Sequence, residues 1–153
     1  MGVVDLSTIS FRNEAFLIAE GLKRSNVLEY FYESQFYLQT GGERSINEMI
    51  RRGSIAPSAA PRIDGDIYEL VSWNSEGESG MVDTSIFVIQ KFSQVVNKPR
   101  IPLEVFYIIS GNIYLAPGLG KLLERHLANS VKYLDNMIDC MKNSVFPDDS
   151  MQT

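Results

Sequence analysis

A single cysteine, Cys140, and a single histidine, His126, are all the chain has of the two side chains that carry most nucleophilic and zinc chemistry. One cysteine cannot close an intramolecular disulfide, and a structural zinc cage would lack its usual thiolates. A catalytic relay or a histidine-based facial triad has one candidate and no second. This cysteine usage fits a reducing compartment. Charge of one sign is also scarce. The formal charge is -5 and no block of five or six like charges occurs, so the basic footprint of direct nucleic-acid binding is missing. The basic cluster that would bind an acidic lipid surface is missing too. No segment approaches the roughly 18 apolar residues that span a bilayer, and the first residues show no leader pattern. Met1-Gly2 opens like a myristoylation signal, but Leu6 stands where Ser or Thr is needed. A soluble, intracellular protein with no membrane partner is the expectation.

The most informative stretch is residues 102–117, Pro-Leu-Glu-Val-Phe-Tyr-Ile-Ile-Ser-Gly-Asn-Ile-Tyr-Leu-Ala-Pro. Two apolar runs flank Gly111-Asn112, and glycine first in a two-residue loop suits a type II′ hairpin turn. Counting outward pairs Ser110 with Ile113, Ile109 with Tyr114 and Ile108 with Leu115, and alternation then sorts the side chains onto two faces. Phe106, Ile108, Ile113 and Leu115 form a hydrocarbon face that should meet the core. Val105, Tyr107, Ile109, Tyr114 and Ala116 form the other, whose phenol hydroxyls need water or a partner. Tyr107 and Tyr114 are therefore candidate partner-interface residues.

The remaining segments read as helices, then strands, then a helix. An edge strand is placed at residues 9–11. Asn13 caps a helix over residues 14–23, which Gly21 weakens. Asn26 with Glu29 is a capping-box variant that puts Val27, Tyr30, Phe31 and Ser34 on one face and Tyr32 off it. Ser45 with Glu48 is the standard box over residues 46–52, ended by Gly53. Arg51 and Arg52 then sit in the last turn, where cations complement the exposed carbonyls. Arg51-Arg52-Gly53-Ser54 is also the pattern of an arginine-directed kinase site or of a contact for an acidic partner. Residues 53–65, rich in Ala, Pro and Ser, read as a mobile connection. Residues 67–73 and 86–92 read as strands joined by an acidic loop over 75–83, giving with the hairpin a four-stranded antiparallel meander. From Leu119 the period becomes helical to about Cys140, with Leu119, Leu122, Leu123, Leu127, Val131, Leu134, Ile138 and Met141 on one stripe. That stripe is wide enough to cover the hydrocarbon face. The expected fold is α+β: a four-stranded meander with N-terminal helices and a long C-terminal helix packed on it, in a single domain over 1–146 with a disordered acidic tail over 147–153.

Chemistry-bearing patterns are weak. Pro117-Gly118-Leu119-Gly120-Lys121 lacks both the first glycine and the Ser/Thr of a phosphate loop and is better read as a helix start. Asp64-Gly65-Asp66 with Glu69 lacks the spacing of a calcium loop. Cys140, beside the apolar stripe and without a basic neighbour, reads as an inert buried thiol. No cofactor is implied. The cluster Tyr30, Phe31, Tyr32, Phe36, Tyr37 is divided between core and surface, with Tyr32 and Tyr37 as the exposed anchors.

Taken in order, these residues resemble subunit six of the transcriptional Mediator complex. Asn26-Val27-Leu28-Glu29-Tyr30-Phe31-Tyr32-Glu33-Ser34-Gln35-Phe36-Tyr37 resembles that family's Val-Leu-Asp-Tyr-Phe-x-x-Ser-x-Phe-Tyr signature. Residues 43–52 resemble its Asn-Glu-x-x-x-Met-x-Arg stretch, and residues 86–91 its Phe-x-Ile-x-Lys strand. Residues 101–117 resemble its Pro-Leu-x-x-Tyr-Tyr-Ile-Ile-x-Gly-x-Ile-Tyr-x-Ala-Pro block, the most specific of the matches. The resemblance covers about residues 9–141 and implies a nuclear, non-enzymatic subunit of the Mediator head module. It further implies scaffold subunits seventeen and eight as neighbours, and a role in connecting regulators to RNA polymerase II, whose carboxy-terminal repeat docks nearby. The residues alone leave open a second class, an α+β domain binding a small molecule between sheet and last helix, with His126, Tyr133 and Cys140 as its polar candidates.

Overall fold

The computed structural model describes residues 5–74 and 85–145, with side chains described through residue 142. The acidic loop over 75–83 and the tail over 147–153 lie outside the described residues. The chain divides into two compact units, residues 1–116 and residues 117–153.

The first unit is a five-stranded antiparallel sheet with short helices on one face. In chain order it contains β1 (Ser10–Phe11), α1 (Glu14–Ala19), α2 (Val27–Tyr32), α3 (Gln35–Gln39), α4 (Ile46–Arg51), β2 (Gly65–Asn74), β3 (Ile86–Gln94), β4 (Ile101–Ile109) and β5 (Asn112–Leu115). Strand order is β1-β5-β4-β3-β2. The meander of four is present as expected, and the fifth strand is the two-residue edge β1, paired through Ser10 with Tyr114 and Phe11 with Ile113. The fold class is thus α+β as expected, with the edge strand placed at residues 9–11 joining the four-stranded meander as its fifth strand.

The hairpin turn is displaced by one residue from its expected position. Ile109 pairs with Asn112, Ile108 with Ile113, and Tyr107 with Tyr114. The central residues are therefore Ser110 and Gly111, both with positive φ, 49° and 82°, which marks a type I′ turn. Docking selects it. The Gly111 carbonyl accepts the Tyr30 hydroxyl at 2.6 Å, the Ser110 carbonyl accepts the Arg12 guanidinium, and a Cβ on Gly111 would lie 2.7 Å from Leu17 Cδ1.

Local capping explains the helices and corrects two expectations. Asn13 accepts from the Phe16 N–H as a cap should, but α1 stops at Ala19 because Gly21 turns left-handed at φ 63°. Asn26 makes no side-chain bond to its own helix. It braces the preceding turn instead, accepting from Lys23 N–H at 2.8 Å and donating to Gly21 O at 2.9 Å. The helix does not run on to Tyr37. Ser34 is extended at ψ 149° and its hydroxyl accepts from the Tyr37 N–H, so α3 starts afresh with a new phase.

The hydrocarbon face of the hairpin is filled by α2 and α3. Val27, Tyr30, Phe31, Phe36 and Tyr37 form one buried cluster with Tyr68, Phe87, Ile89, Phe106, Ile108 and Ile113. Phe31 is at its centre, its ring 4.8 Å from Phe106, 5.5 Å from Tyr68 and 5.8 Å from Tyr37. The buried Lys91 ammonium donates to the Thr40 carbonyl at 2.8 Å and pairs with Asp66 at 3.1 Å and Glu104 at 3.4 Å. That places a cation at the C-terminal end of α3, where its carbonyls are unpaired. Residues 53–65, expected to be a mobile connection, hold an ordered turn anchored at Ala60, with most of the segment, both prolines included, exposed. Pro57–Arg62 is a 3-10 helix whose Ala60 joins Ile46 and Ile67 in a second cluster. Gln94 donates to Ala60 O and Ile63 O, both at 2.8 Å. The packing comes from Ala60 with Ile55 and Ile63, aliphatic side chains that reading the segment only as turn formers misses.

The second unit is α5 (Leu119–Val145), longer than the periodicity indicates. Its stripe of Leu123, Leu127, Val131, Leu134, Ile138 and Met141 is exposed.

Candidate partner-binding surface

Alternation leaves β4 and β5 with a second face, and that face is apolar and open. Tyr107 and Tyr114 stand opposite each other across the hairpin and are 39% and 41% exposed. Pairing of β3 with β4 sets Val88 opposite Tyr107 and Ile86 opposite Ile109, and the two isoleucines are 40% and 44% exposed. Directly opposed side chains lie on one side of a sheet, so Ile86, Val88, Tyr107, Ile109 and Tyr114 form a continuous patch. Contiguous exposed apolar surface of this kind marks an interaction site. Tyr107, Ile109 and Tyr114 were legible in the sequence; Ile86 and Val88 were missed, although the β3–β4 register supplies them.

A second surface surrounds the end of α4. Glu48 accepts from Arg51 Nη1 at 2.8 Å and from Arg52 Nε at 3.0 Å, and Arg51 lies 3.7 Å from Glu29. Burial by itself raises the Glu48 carboxyl, but the hydrogen bonds from Arg52 and Arg51 outweigh it and hold that group below the ordinary carboxylate range. The Arg51 guanidinium sits over the Tyr32 ring, 4.8 Å from its centroid, a cation–π contact. Tyr32 is half-buried and its hydroxyl accepts from Asn47 Nδ2 at 3.0 Å. Tyr37 is not an exposed anchor: it is 2% exposed, with its hydroxyl 2.9 Å from Ser45 Oγ and donating to Glu48 at 3.3 Å. The restart of the helix at Ser34 turned its ring inward. Sequence reading also missed Asn47, which links this patch to the sheet.

The other candidates recur every seven residues along α5, and Tyr133 and Cys140 line one open apolar hollow with Asn136, Met137 and Met141. His126, Tyr133 and Cys140 are all exposed on α5, so Cys140 is not the buried thiol expected. Among the described residues no group of His, Cys, Asp or Glu could hold a metal ion, and no helix is long and apolar enough to cross a membrane.

Four phenols share one electrostatic consequence of burial. Tyr37 is pushed up to about 12 by burial, with the Ser45 hydrogen bond opposing and Glu48 reinforcing the rise. Burial likewise raises Tyr30, Tyr32 and Tyr68. The folded chain therefore keeps protons that the unfolded chain releases above about pH 10, and stability present below that pH is lost as pH rises toward 12. In a Tyr107→Phe, Tyr114→Phe, Tyr133→Phe variant, which leaves only the four buried phenols to report, a urea midpoint that falls steeply above about pH 10, with tyrosinate absorbance appearing together with loss of circular dichroism, is the expected result. Tyrosinate forming well before unfolding would show these phenols to be free.

The chain matches the family described as MED6 mediator sub complex component over residues 9–146. It is 26% identical over 147 residues to Mediator of RNA polymerase II transcription subunit 6 from Scheffersomyces stipitis, covering 89% of this chain and 53% of that protein. It is 30% identical over 135 residues to the protein of the same name from Encephalitozoon cuniculi, covering 88% of this chain and 72% of that one. The chain thus spans little more than half the length of the first relative. Among solved structures, a chain of the Schizosaccharomyces pombe Mediator head module is similar at a TM-score of 0.65 and 27% identity, over 90% of each chain.

Proposed function

The chain belongs to the MED6 mediator sub complex component family, and from that premise we propose that it is a non-enzymatic subunit of the Mediator head module, acting in transcription in the nucleus through protein–protein contacts. The observation that carries this reading is the family match over nearly the whole chain. The open sheet face of Ile86, Val88, Tyr107, Ile109 and Tyr114 gives it a physical means. Such a face gains free energy when a partner removes it from water, at about 25 cal/mol per Å². Its partners on this reading are other head subunits, with the scaffold subunits seventeen and eight as immediate neighbours. RNA polymerase II, including its carboxy-terminal repeat, is the polymerase served. The Tyr32, Arg51 and Arg52 surface is a second contact candidate, since Arg and Tyr are the residues most often central to interfaces. No observation favours the small-molecule reading.

Tagged chain should co-purify with head subunits from nuclear extract. Tyr107→Asp with Tyr114→Asp places two charges on the open face and should abolish or strongly reduce that recovery, while circular dichroism shows the isolated chain still folded, its urea midpoint lowered only by the repulsion of the two facing carboxylates. Undiminished recovery of head subunits by the folded double variant would remove the sheet face from the interface.

A further inference from the structure

We propose that Ser54 is a phosphorylation site for an arginine-directed protein kinase. The sequence Arg51-Arg52-Gly53-Ser54 places guanidinium groups three and two residues before a hydroxyl, the spacing at which such kinases use acidic pockets to hold a substrate. Arg51, Arg52, Gly53 and Ser54 are all exposed, and among the described residues the Ser54 hydroxyl has no hydrogen-bond partner. The turn that presents it is slight: Ser54 N–H donates to Met49 O at 2.9 Å, Gly53 N–H to Ile50 O at 3.0 Å, and Gly53 is left-handed at φ 71°. Helix α4, which carries both arginines, is six residues long, and last turns fray readily, so residues 51–54 can extend into a kinase cleft without disturbing the sheet.

Arg52 is the more loosely held of the two arginines. Arg51 pairs with Glu48 and also lies 3.7 Å from Glu29, whereas Arg52 engages Glu48 through Nε alone. In the transfer, Ser54 Oγ attacks the γ-phosphorus of a nucleoside triphosphate and a new O–P bond forms. The bond to the bridging oxygen breaks, the nucleoside diphosphate leaves, and the hydroxyl proton passes to the kinase's base. The product carries about -1.5 to -2 charges two residues from Arg52. Charge-assisted, bidentate bonds to phosphate are stronger than the single Nε contact, so the phosphate draws Arg52, and in part Arg51, away from Glu48. A surface of two arginines and two glutamates becomes net negative beside Tyr32. The proposal rests on this segment alone and not on which complex the chain joins.

Full-length chain incubated with the catalytic subunit of a cyclic-AMP-dependent kinase and ATP tests it, with intact mass and fragment spectra as readout. One phosphate at Ser54 is expected, absent from Ser54→Ala, with kcat/KM at least about tenfold lower for Arg51→Ala or Arg52→Ala, as the loss of a buried charge contact in the kinase complex implies. A peptide of residues 46–58 serves as the unfolded reference. If the peptide accepts phosphate while the folded chain does not, or if the phosphate lies on another residue, the proposal is overturned.

Discussion

Phe31→Ala is expected to lower the free energy of unfolding by about 3–5 kcal/mol, the range for deleting a buried aromatic ring. Phe31 is fully buried and its ring meets Phe106 of β4, Tyr68 of β2 and Tyr37 of α3. Tyr68 and Phe106 make the same bridge from the sheet side, each meeting one ring on α2, one on α3 and one another. The neighbours cannot close the gap. Tyr68 is held by hydrogen bonds with Thr40 and Tyr37 by its bonds to Ser45 and Glu48, so relaxation into the vacated space would break polar contacts in the interior. The cavity term should therefore place the loss toward the upper end of that range. Guanidinium denaturation followed by circular dichroism measures it. Tyr107→Ala, on the open face, is the matched control and should cost under about 1 kcal/mol, as partly exposed positions do. Comparable losses for the two variants would show that the aromatic cluster is not what holds the helices to the sheet.

The hairpin shows what alternation can and cannot specify. Side-chain direction has a period of two, so displacing the turn by one residue shifts each partner by two and leaves both faces intact. Phe106, Ile108 and Ile113 are buried and Tyr107 and Tyr114 open, as their order dictates, although the turn is Ser110-Gly111 and not Gly111-Asn112. What moved it, the Tyr30 hydroxyl on Gly111 O and Arg12 on Ser110 O, comes from residues some eighty and ninety-eight positions earlier and has no local signal. Tyr37 failed for a different reason. Its angular position was counted from α2, but a serine that reads as one more residue on that helix acts as the cap of the next. The open sheet face was legible where one strand pair made it, in Tyr107, Ile109 and Tyr114. It was not legible where register between distant strands was required, in Ile86 and Val88. The Asn47 contact lay beyond reach because nothing in a helix-initiating Ser-Ile-Asn-Glu sequence says which strand edge the asparagine will meet.

That asparagine carries the second large effect. Strand β2 is an edge of the sheet, and an edge left bare inside a fold strands its amide groups without partners. Asn47 supplies them: its Oδ1 accepts the Tyr68 N–H at 2.7 Å and its Nδ2 donates to the Tyr68 carbonyl at 2.9 Å. One carboxamide thus meets both backbone groups of a residue as an adjoining strand would, and the same Nδ2 donates to the Tyr32 hydroxyl. Asn47→Ala leaves a buried donor and a buried acceptor unmet. At about 1–3 kcal/mol for each such group, a loss of about 2–4 kcal/mol is expected after partial rehydration at this nearly buried position. Asn47→Asp separates shape from chemistry. Its carboxylate can still accept the Tyr68 N–H, but it sets an oxygen against the Tyr68 carbonyl and can donate to neither that group nor Tyr32. The folded state therefore favours the protonated acid, which restores one donor, and the deficit of Asn47→Asp should shrink as pH falls while that of Asn47→Ala does not. Denaturation midpoints of the two variants across acid pH make the comparison. If Asn47→Ala stays within about 0.5 kcal/mol of wild type, as surface changes do, water serves the edge as well as the side chain does, and α4 is joined to the sheet by the Ile46 cluster alone.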